Sequence, residues 1–93
     1  SENVMRYRYN RIRNHLVKKF SPEILKIRDD SSLHATHGNI EKDAKETHFY
    51  IKMRSSAFCN KSKLNMHKMV YAVLEEEFKK GLHAIELDLG DIK

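Results

Sequence analysis

The chain has 93 residues, of which 40% are hydrophobic and 33% are charged, so it is long enough for one domain and too short for two independent cores. This hydrophobic content exceeds that of a disordered chain, and the longest uncharged apolar run, Met69–Leu74, is far shorter than the roughly 20 residues that a membrane-spanning helix needs. The composition therefore predicts a single globular domain, residues 1–93 with a core from about residue 4 to 89, and no membrane association.

Charge is unevenly distributed along the chain. The 18 basic and 13 acidic side chains give a net charge of +5. Residues 4–20 contain six basic residues and no acidic one, whereas residues 75–93 contain six acidic residues and three basic ones. A basic end can attract nucleic acid or an acidic protein surface, although a solvated helix face is the more common explanation. The candidates for a partner or nucleic-acid surface are Arg6, Arg8, Arg11, Arg13, Lys61, Lys63 and Lys68.

Cysteine content and the first residues bear on the compartment. The single cysteine, Cys59, excludes an internal disulfide and fits a reducing compartment such as the cytoplasm or the mitochondrial matrix. The first ten residues carry charges where a signal peptide would have its apolar segment. The sequence therefore predicts a protein that is not secreted.

The first half of the chain predicts a helix and two strands. Apolar residues recur every three or four positions and lie on one face of an amphipathic helix that ends at Ser21-Pro22; they are Met5, Tyr9, Ile12, Leu16 and Phe20. Alternating residues predict a strand over Glu23–Arg28 and another, antiparallel to it, over Thr47–Met53. Between them, Leu33–Lys45 is predicted to be a long loop, a length that is often functional.

The second half predicts a helix and a third strand. Phe58–Lys61 is a predicted turn in which Asn60 can adopt a left-handed conformation, and Ser62 is the expected N-cap of a helix over Leu64–Phe78. Alternation then predicts a strand over His83–Leu89. The order helix, strand, strand, helix, strand indicates an α+β fold in which the helices cover one face of a three-stranded sheet.

Histidines are the most notable candidates for chemistry. There are six, of which His34 and His37 lie three positions apart in the long loop and His67 lies early in the second helix. Imidazole is a good ligand for transition metals, but the spacing alone is equally compatible with a chance cluster. His48 and His83, in or beside strands, are interpreted as structural.

No catalytic motif is present. The three glycines are isolated and form no phosphate-binding loop, and no segment resembles a strained nucleophile turn. Cys59 and His67 are a conceivable nucleophile and base, but such a pair needs a third orienting group and a pocket. The sequence therefore predicts that the protein is not an enzyme.

Six segments, taken in order, resemble the BolA family. They are Ser32–Gly38 (SLHATHG), Glu46–Phe49 (ETHF), Phe58–Ser62 (FCNKS), Met66–Tyr71 (MHKMVY), Leu74–Glu77 (LEEE) and Gly81–Ile85 (GLHAI). The resemblance covers about residues 9–89. It implies an α+β fold of the class II KH-like type, in the order αββααβ, with a three-stranded mixed sheet, helices packed on one face, and none of the Gly-x-x-Gly loop with which K-homology domains clamp RNA.

The resemblance also implies a partner and a cofactor. BolA-like proteins pair with monothiol glutaredoxins, and the pair can share a [2Fe-2S] cluster to which the glutaredoxin cysteine and glutathione supply ligands. By position, His67 would be the helix ligand and His37 the loop ligand, with His34 as the alternative. The isolated chain is then expected to be a monomer without a cofactor and to form a heterodimer with its partner. Because some members are proposed to regulate transcription, DNA binding through the basic helices is the alternative function.

Overall fold

The computed structural model describes residues 6–34 and 46–93. Its elements are, in chain order, helix α1 (Tyr7–Phe20), strand β1 (Ile24–Asp29), a 3₁₀ turn (Ser31–His34), strand β2 (His48–Arg54), a second 3₁₀ turn (Ser56–Phe58), helices α2 (Lys63–Val73) and α3 (Glu75–Lys79), and strand β3 (Ala84–Gly90). The predicted order αββααβ is confirmed. Within the described ranges, no helix combines the length and apolar character needed to cross a membrane.

The sheet is mixed, with β2 in its centre. Strand β1 pairs with β2 in the antiparallel direction, with Ile27 opposite Ile51, and β3 pairs with β2 in the parallel direction, with Leu87 opposite the same Ile51. Because two parallel strands need a crossover between them, α2 and α3 carry the chain back from the end of β2 to the start of β3. Strands β2 and β3 therefore begin at the same end of the sheet.

The helices pack on one face of this sheet, as predicted. Along β2 the buried side chains of Phe49, Ile51 and Met53 alternate with half-buried residues on the opposite face. The buried face of the sheet packs against apolar residues of the helices and forms one hydrophobic core with them. The residues buried there from α1, α2 and the junction between α2 and α3 are Ile12, Leu16, Phe20, Met66, Val70 and Leu74.

Three local predictions about element ends are confirmed. Helix α1 ends at Ser21, which adopts a left-handed conformation with φ 42°. Asn60 also has a positive φ, of 61°. The Ser62 hydroxyl accepts a hydrogen bond from the Asn65 amide at 3.1 Å and thereby caps the first turn of α2.

Two predicted boundaries differ in the structure. The single helix predicted over residues 64–78 is divided at Leu74, whose backbone (φ −99°, ψ 10°) ends α2 and precedes α3. Leu74 is fully buried and keeps its place in the apolar repeat on both sides of the break, so periodicity could not reveal the break. The first two residues predicted as loop, Leu33 and His34, belong to the 3₁₀ turn. Met5 and residues 35–45 lie outside the described residues.

Candidate metal centre and its surroundings

Three segments meet at one end of the sheet, called here the histidine end, where β1 finishes and β2 and β3 begin. The Asp30 amide donates to the His48 carbonyl at 2.7 Å, and the His83 amide donates to the Thr47 carbonyl at 2.8 Å. The chain leaves this end after the 3₁₀ turn Ser31–His34 and returns to it at Glu46, whose amide donates to Asp29 at 3.0 Å. Both ends of the predicted histidine loop are therefore located here.

Two imidazole rings lie side by side at the histidine end. The rings of His48 and His83 are 5.6 Å apart between centroids and meet edge to face, at 75°. His48 is half-buried, with its Nδ1 3.0 Å from the Thr47 hydroxyl, whereas His83 is exposed. An adjoining cleft of about 160 Å³ is lined by Asp30, His48, Phe49, Ala84, Ile85 and Glu86. Sequence reasoning missed this pair because 35 positions separate its members, and only the parallel pairing of β2 with β3 brings them together.

Of the two predicted loop ligands, only the backbone of His34 is described. His34 is the last residue of the 3₁₀ turn, and His37 lies outside the described residues.

His67, the predicted helix ligand, lies elsewhere. Helix α2 begins near the opposite end of the sheet, where the Ser55 amide donates to the Gly90 carbonyl at 3.0 Å and Lys63 Nζ donates to the Leu89 carbonyl at 2.6 Å. His67 is half-buried and is the fifth residue of this helix. Among the histidines with described side chains, the structure thus places His83, rather than His67, beside the two ends of the loop.

No set of three or more His, Cys, Asp or Glu side chains is arranged to hold a metal ion in the parts of the chain that the structure describes. Cys59 is an exposed free thiol in the turn that precedes α2, near the opposite end of the sheet from His83.

The basic N-terminal helix is partly committed to the fold. The buried Glu77 carboxylate of α3 accepts from Arg8 Nε at 3.1 Å and from Arg11 Nε at 2.6 Å. Hydrogen bonds from Arg11, and also from Arg8, lower the pKa of Glu77 below its usual value, although burial acts in the opposite direction. The Arg8 side chain is only 13% exposed, so Arg8 is not available as part of an exposed basic surface.

The remaining basic candidates are exposed. The Arg6 guanidinium lies over the Tyr9 ring, 3.7 Å from its centroid, and Lys63 makes the bond to Leu89 described above. The other exposed candidates are Arg13, Lys61 and Lys68. They lie on α1, in the turn before α2, and on α2 itself.

Comparison with known proteins identifies the class of protein that this fold defines. A family model described as BolA-like protein matches residues 16–90. The BolA domain of SufE1 from Arabidopsis thaliana superimposes with a TM-score of 0.83 at 36% identity, over 92% of this chain and 93% of that chain. The chain belongs to the BolA-like protein family.

Three curated relatives extend this comparison. SufE-like protein 1, chloroplastic/mitochondrial, of Arabidopsis thaliana is 39% identical over 83% of this chain, which spans 22% of that protein. Protein BOLA1, chloroplastic, of the same organism is 37% identical over 86% of this chain and 51% of its own length. The DNA-binding transcriptional regulator BolA of Haemophilus influenzae is 35% identical over 84% of this chain and 71% of its own length. The chain thus spans about half or less of the two Arabidopsis proteins.

Proposed function

We propose that the protein is a non-catalytic adaptor in iron-sulfur cluster assembly, trafficking or iron regulation, and that it pairs with a monothiol glutaredoxin to bind a shared [2Fe-2S] cluster. The glutaredoxin cysteine and glutathione would supply thiolates on one side, and this chain would supply two imidazoles on the other. The observation that carries the proposal is the exposed His83 at the end of the sheet where the loop bearing His34 and His37 begins and ends.

The donor set fits such a cluster. Where histidines replace two cysteines on one iron, as in Rieske centres, the cluster has a higher reduction potential. A shared cluster needs only two ligands from this chain, which is compatible with the lack of a three-ligand group among the described residues. His48 packs edge-on against His83 and would help to hold its ring in one orientation.

His67 and His83 are the two candidates for the imidazole ligand outside the loop. The family resemblance implies His67, the histidine on α2, and this assignment stays a prediction. The position of His83 beside the loop ends favours His83 instead. In either case the loop ligand is His37, or His34 in its place.

Reconstitution of the cluster tests the proposal and separates the two candidates. The chain is mixed with a monothiol glutaredoxin, iron, sulfide and glutathione, and the visible absorption and circular dichroism spectra are compared with those of the glutaredoxin alone. We expect a distinct spectrum for the wild type, its loss in His83→Ala and His37→Ala, and its retention in His67→Ala. The control is His15→Ala, which removes an exposed histidine of α1.

Different outcomes would contradict the shared cluster and the assignment of its ligands. A wild-type mixture whose spectrum equals that of the glutaredoxin alone would refute the shared cluster. Loss of the distinct spectrum in His67→Ala but not in His83→Ala would instead support His67 as the ligand and exclude His83.

We further propose that the adaptor acts in a reducing compartment, either the cytoplasm or the mitochondrial matrix.

DNA binding is the second candidate function. It is favoured by the similarity to a Haemophilus protein named as a DNA-binding transcriptional regulator. The exposed residues Arg13, Lys61 and Lys68 would contact phosphates in that case, while Arg8 and Arg11 remain bound to Glu77.

A further inference from the structure

The two helices of the crossover present an outward stripe of five residues, of which only Phe78 also packs against the hydrophobic core. Its members recur at alternating spacings of four and three, which places them on one side of a helix; they are Leu64, Lys68, Tyr71, Glu75 and Phe78. Four of them, together with Ala72, line one open groove of about 450 Å³. The outward stripe therefore continues across the break at Leu74.

Two of the three apolar members of the outward stripe are exposed, and the third, Phe78, is half-buried. Leu64 is 63% exposed and Tyr71 is 42% exposed. The Tyr71 ring stacks on the Phe78 ring at 5.3 Å between centroids, with only 16° between their planes. The stacked rings of Tyr71 and Phe78, which line an open groove, are a candidate interaction site.

The charged members of the outward stripe lie on either side of Tyr71 and have opposite signs. Lys68 precedes Tyr71 by three positions, and Glu75 follows it by four. Both are exposed, and neither forms an ion pair with another residue of the described ranges. The stripe thus carries one positive and one negative charge at nearly equal distances from its centre.

We propose that the outward stripe pairs with the same stripe of a second copy of this chain, in an antiparallel arrangement about a two-fold axis between Tyr71 and Ala72. A two-fold interface must be self-complementary, because both subunits use the same surface: when one residue contacts a second residue of the partner subunit, the reverse contact also forms. In this arrangement Lys68 lies opposite Glu75 of the partner subunit, so two ion pairs form. The apolar ends also match, since Leu64 approaches Phe78 of the partner subunit.

Charge complementarity selects this arrangement over the parallel one. Parallel helices would place Lys68 opposite Lys68 of the partner subunit and Glu75 opposite Glu75 of the partner subunit, and like charges facing each other disfavour association. The antiparallel pairing converts both repulsions into attractions while keeping the Tyr71 rings at the centre.

The expected association is weak and reversible. From Leu64 to Phe78 the outward stripe covers 14 residue steps, or about 21 Å at 1.5 Å per residue, and a surface of this length buries less than the roughly 800 Å² per partner of a standard interface. The chain is then monomeric when dilute and dimeric when concentrated. The inference is independent of the proposed cluster function, because it uses none of the residues at the histidine end.

A charge-exchange experiment tests the pairing. Sedimentation equilibrium is measured from micromolar to millimolar concentration for the wild type, Lys68→Glu, Glu75→Lys and the double variant, with far-ultraviolet circular dichroism to check that each is folded. Each single variant places like charges opposite one another, so we expect at least a tenfold weaker dimer. The double variant exchanges the signs and restores both ion pairs, so we expect near wild-type association.

Controls and contrary results complete the test. Lys61→Glu makes the same charge change at an exposed site outside the outward stripe and should leave association unchanged. Self-pairing is refuted if the wild type stays monomeric at millimolar concentration, if the double variant associates no better than the singles, or if Lys61→Glu weakens the dimer as much as Lys68→Glu. If the wild type stays monomeric and Lys68→Glu weakens glutaredoxin binding, the second result would show that the outward stripe binds a different partner.

Discussion

At the residue scale, Glu77 is the most consequential side chain outside the hydrophobic core. It joins α3 to α1 through hydrogen bonds from both Arg8 and Arg11, and its side chain is 2% exposed. Removing one member of a buried ion pair leaves the remaining charges without compensation. Two of the four arginines that the charge pattern assigns to a partner surface, Arg8 and Arg11, therefore stabilise the fold.

Glu77→Gln should lower the free energy of unfolding by about 3 kcal/mol, because two guanidinium groups would lose their carboxylate. Urea denaturation measures this change. Glu76→Gln is the matched control, since Glu76 is 68% exposed and its pair with Lys79 is long, at 3.4 Å, which makes a change below about 1 kcal/mol the expectation. Equal stability of the two variants would contradict the structural role assigned to Glu77.

The same carboxylate predicts a pH dependence. Its pKa is lowered in the folded protein from the usual 4.5, so its contribution to stability is present above that value and is lost as the pH falls through the folded pKa. The difference in unfolding free energy between the wild type and Glu77→Gln should therefore narrow below about pH 4.5. Denaturation at several pH values measures the difference, and a constant gap down to pH 3 would contradict the lowered pKa.

Gly81 shows a second constraint that involves Arg8. Its φ is +116°, and a Cβ atom there would lie 3.3 Å from Arg8 Nη2. We expect Gly81→Ala to destabilise the protein by about 1 to 3 kcal/mol through backbone strain. Gly90→Ala is the control in thermal unfolding, because its Cβ would make ordinary contacts of 3.5 Å with Arg54. Similar melting temperatures for the two variants would argue against strain at Gly81.

At the element scale, the two long helices begin in different ways. Helix α2 has a local cap, the Ser62 hydroxyl, which the sequence predicts. Helix α1 has no cap of its own: Arg6 makes no capping bond, and no acidic residue occurs in the first turn. Its cap comes from Glu46, which accepts from the Arg8 amide at 2.6 Å. Residues 38 positions apart make this bond, so no local pattern could predict it.

Removal of the local cap is a direct test of helix α2. Ser62→Ala should lower the free energy of unfolding by about 1 kcal/mol, since the Asn65 amide would lose its partner. Ser56→Ala, at an exposed position of the second 3₁₀ turn, is the control and should have little effect. Chemical denaturation compares the two, and equal losses would show that the hydroxyl of Ser62 does not cap the helix.

Most elements could be predicted from the sequence because their signals are local. The alternation of Phe49, Ile51 and Met53 in β2 and the helical repeat of Ile12, Leu16 and Phe20 in α1 correspond directly to buried faces in the structure. The break at Leu74 could not be predicted, because a buried leucine satisfies the repeat in either a straight or a broken helix.

At the scale of the whole molecule, the net charge of +5 overstates the basic surface. Arg8 and Arg11 are paired with Glu77, and Lys63 bonds to a backbone carbonyl. Three of the seven basic residues that the charge pattern assigns to a partner or nucleic-acid surface therefore have partners within the fold, which leaves fewer cations for phosphate contacts.

Gel retardation with a DNA duplex tests the alternative function. If the chain binds DNA, the logarithm of its affinity should fall by about 0.9 per log unit of salt for each phosphate contacted, and Lys68→Gln should reduce this slope by about one contact. Glu23→Gln, a change at the exposed residue that precedes β1, is the control. The absence of any retarded duplex at low salt would eliminate DNA binding.

The sequence by itself determined the α+β class, the order of the elements and the family, because these depend on residue periodicity, local turn chemistry and a series of short motifs. Only the tertiary structure decided which distant groups meet. The parallel pairing of β2 and β3 places His48 beside His83, and the packing of α1 against α3 buries Glu77 between two arginines. Such contacts join residues many positions apart, and their formation depends on how the helices return across the sheet, which local sequence patterns do not encode.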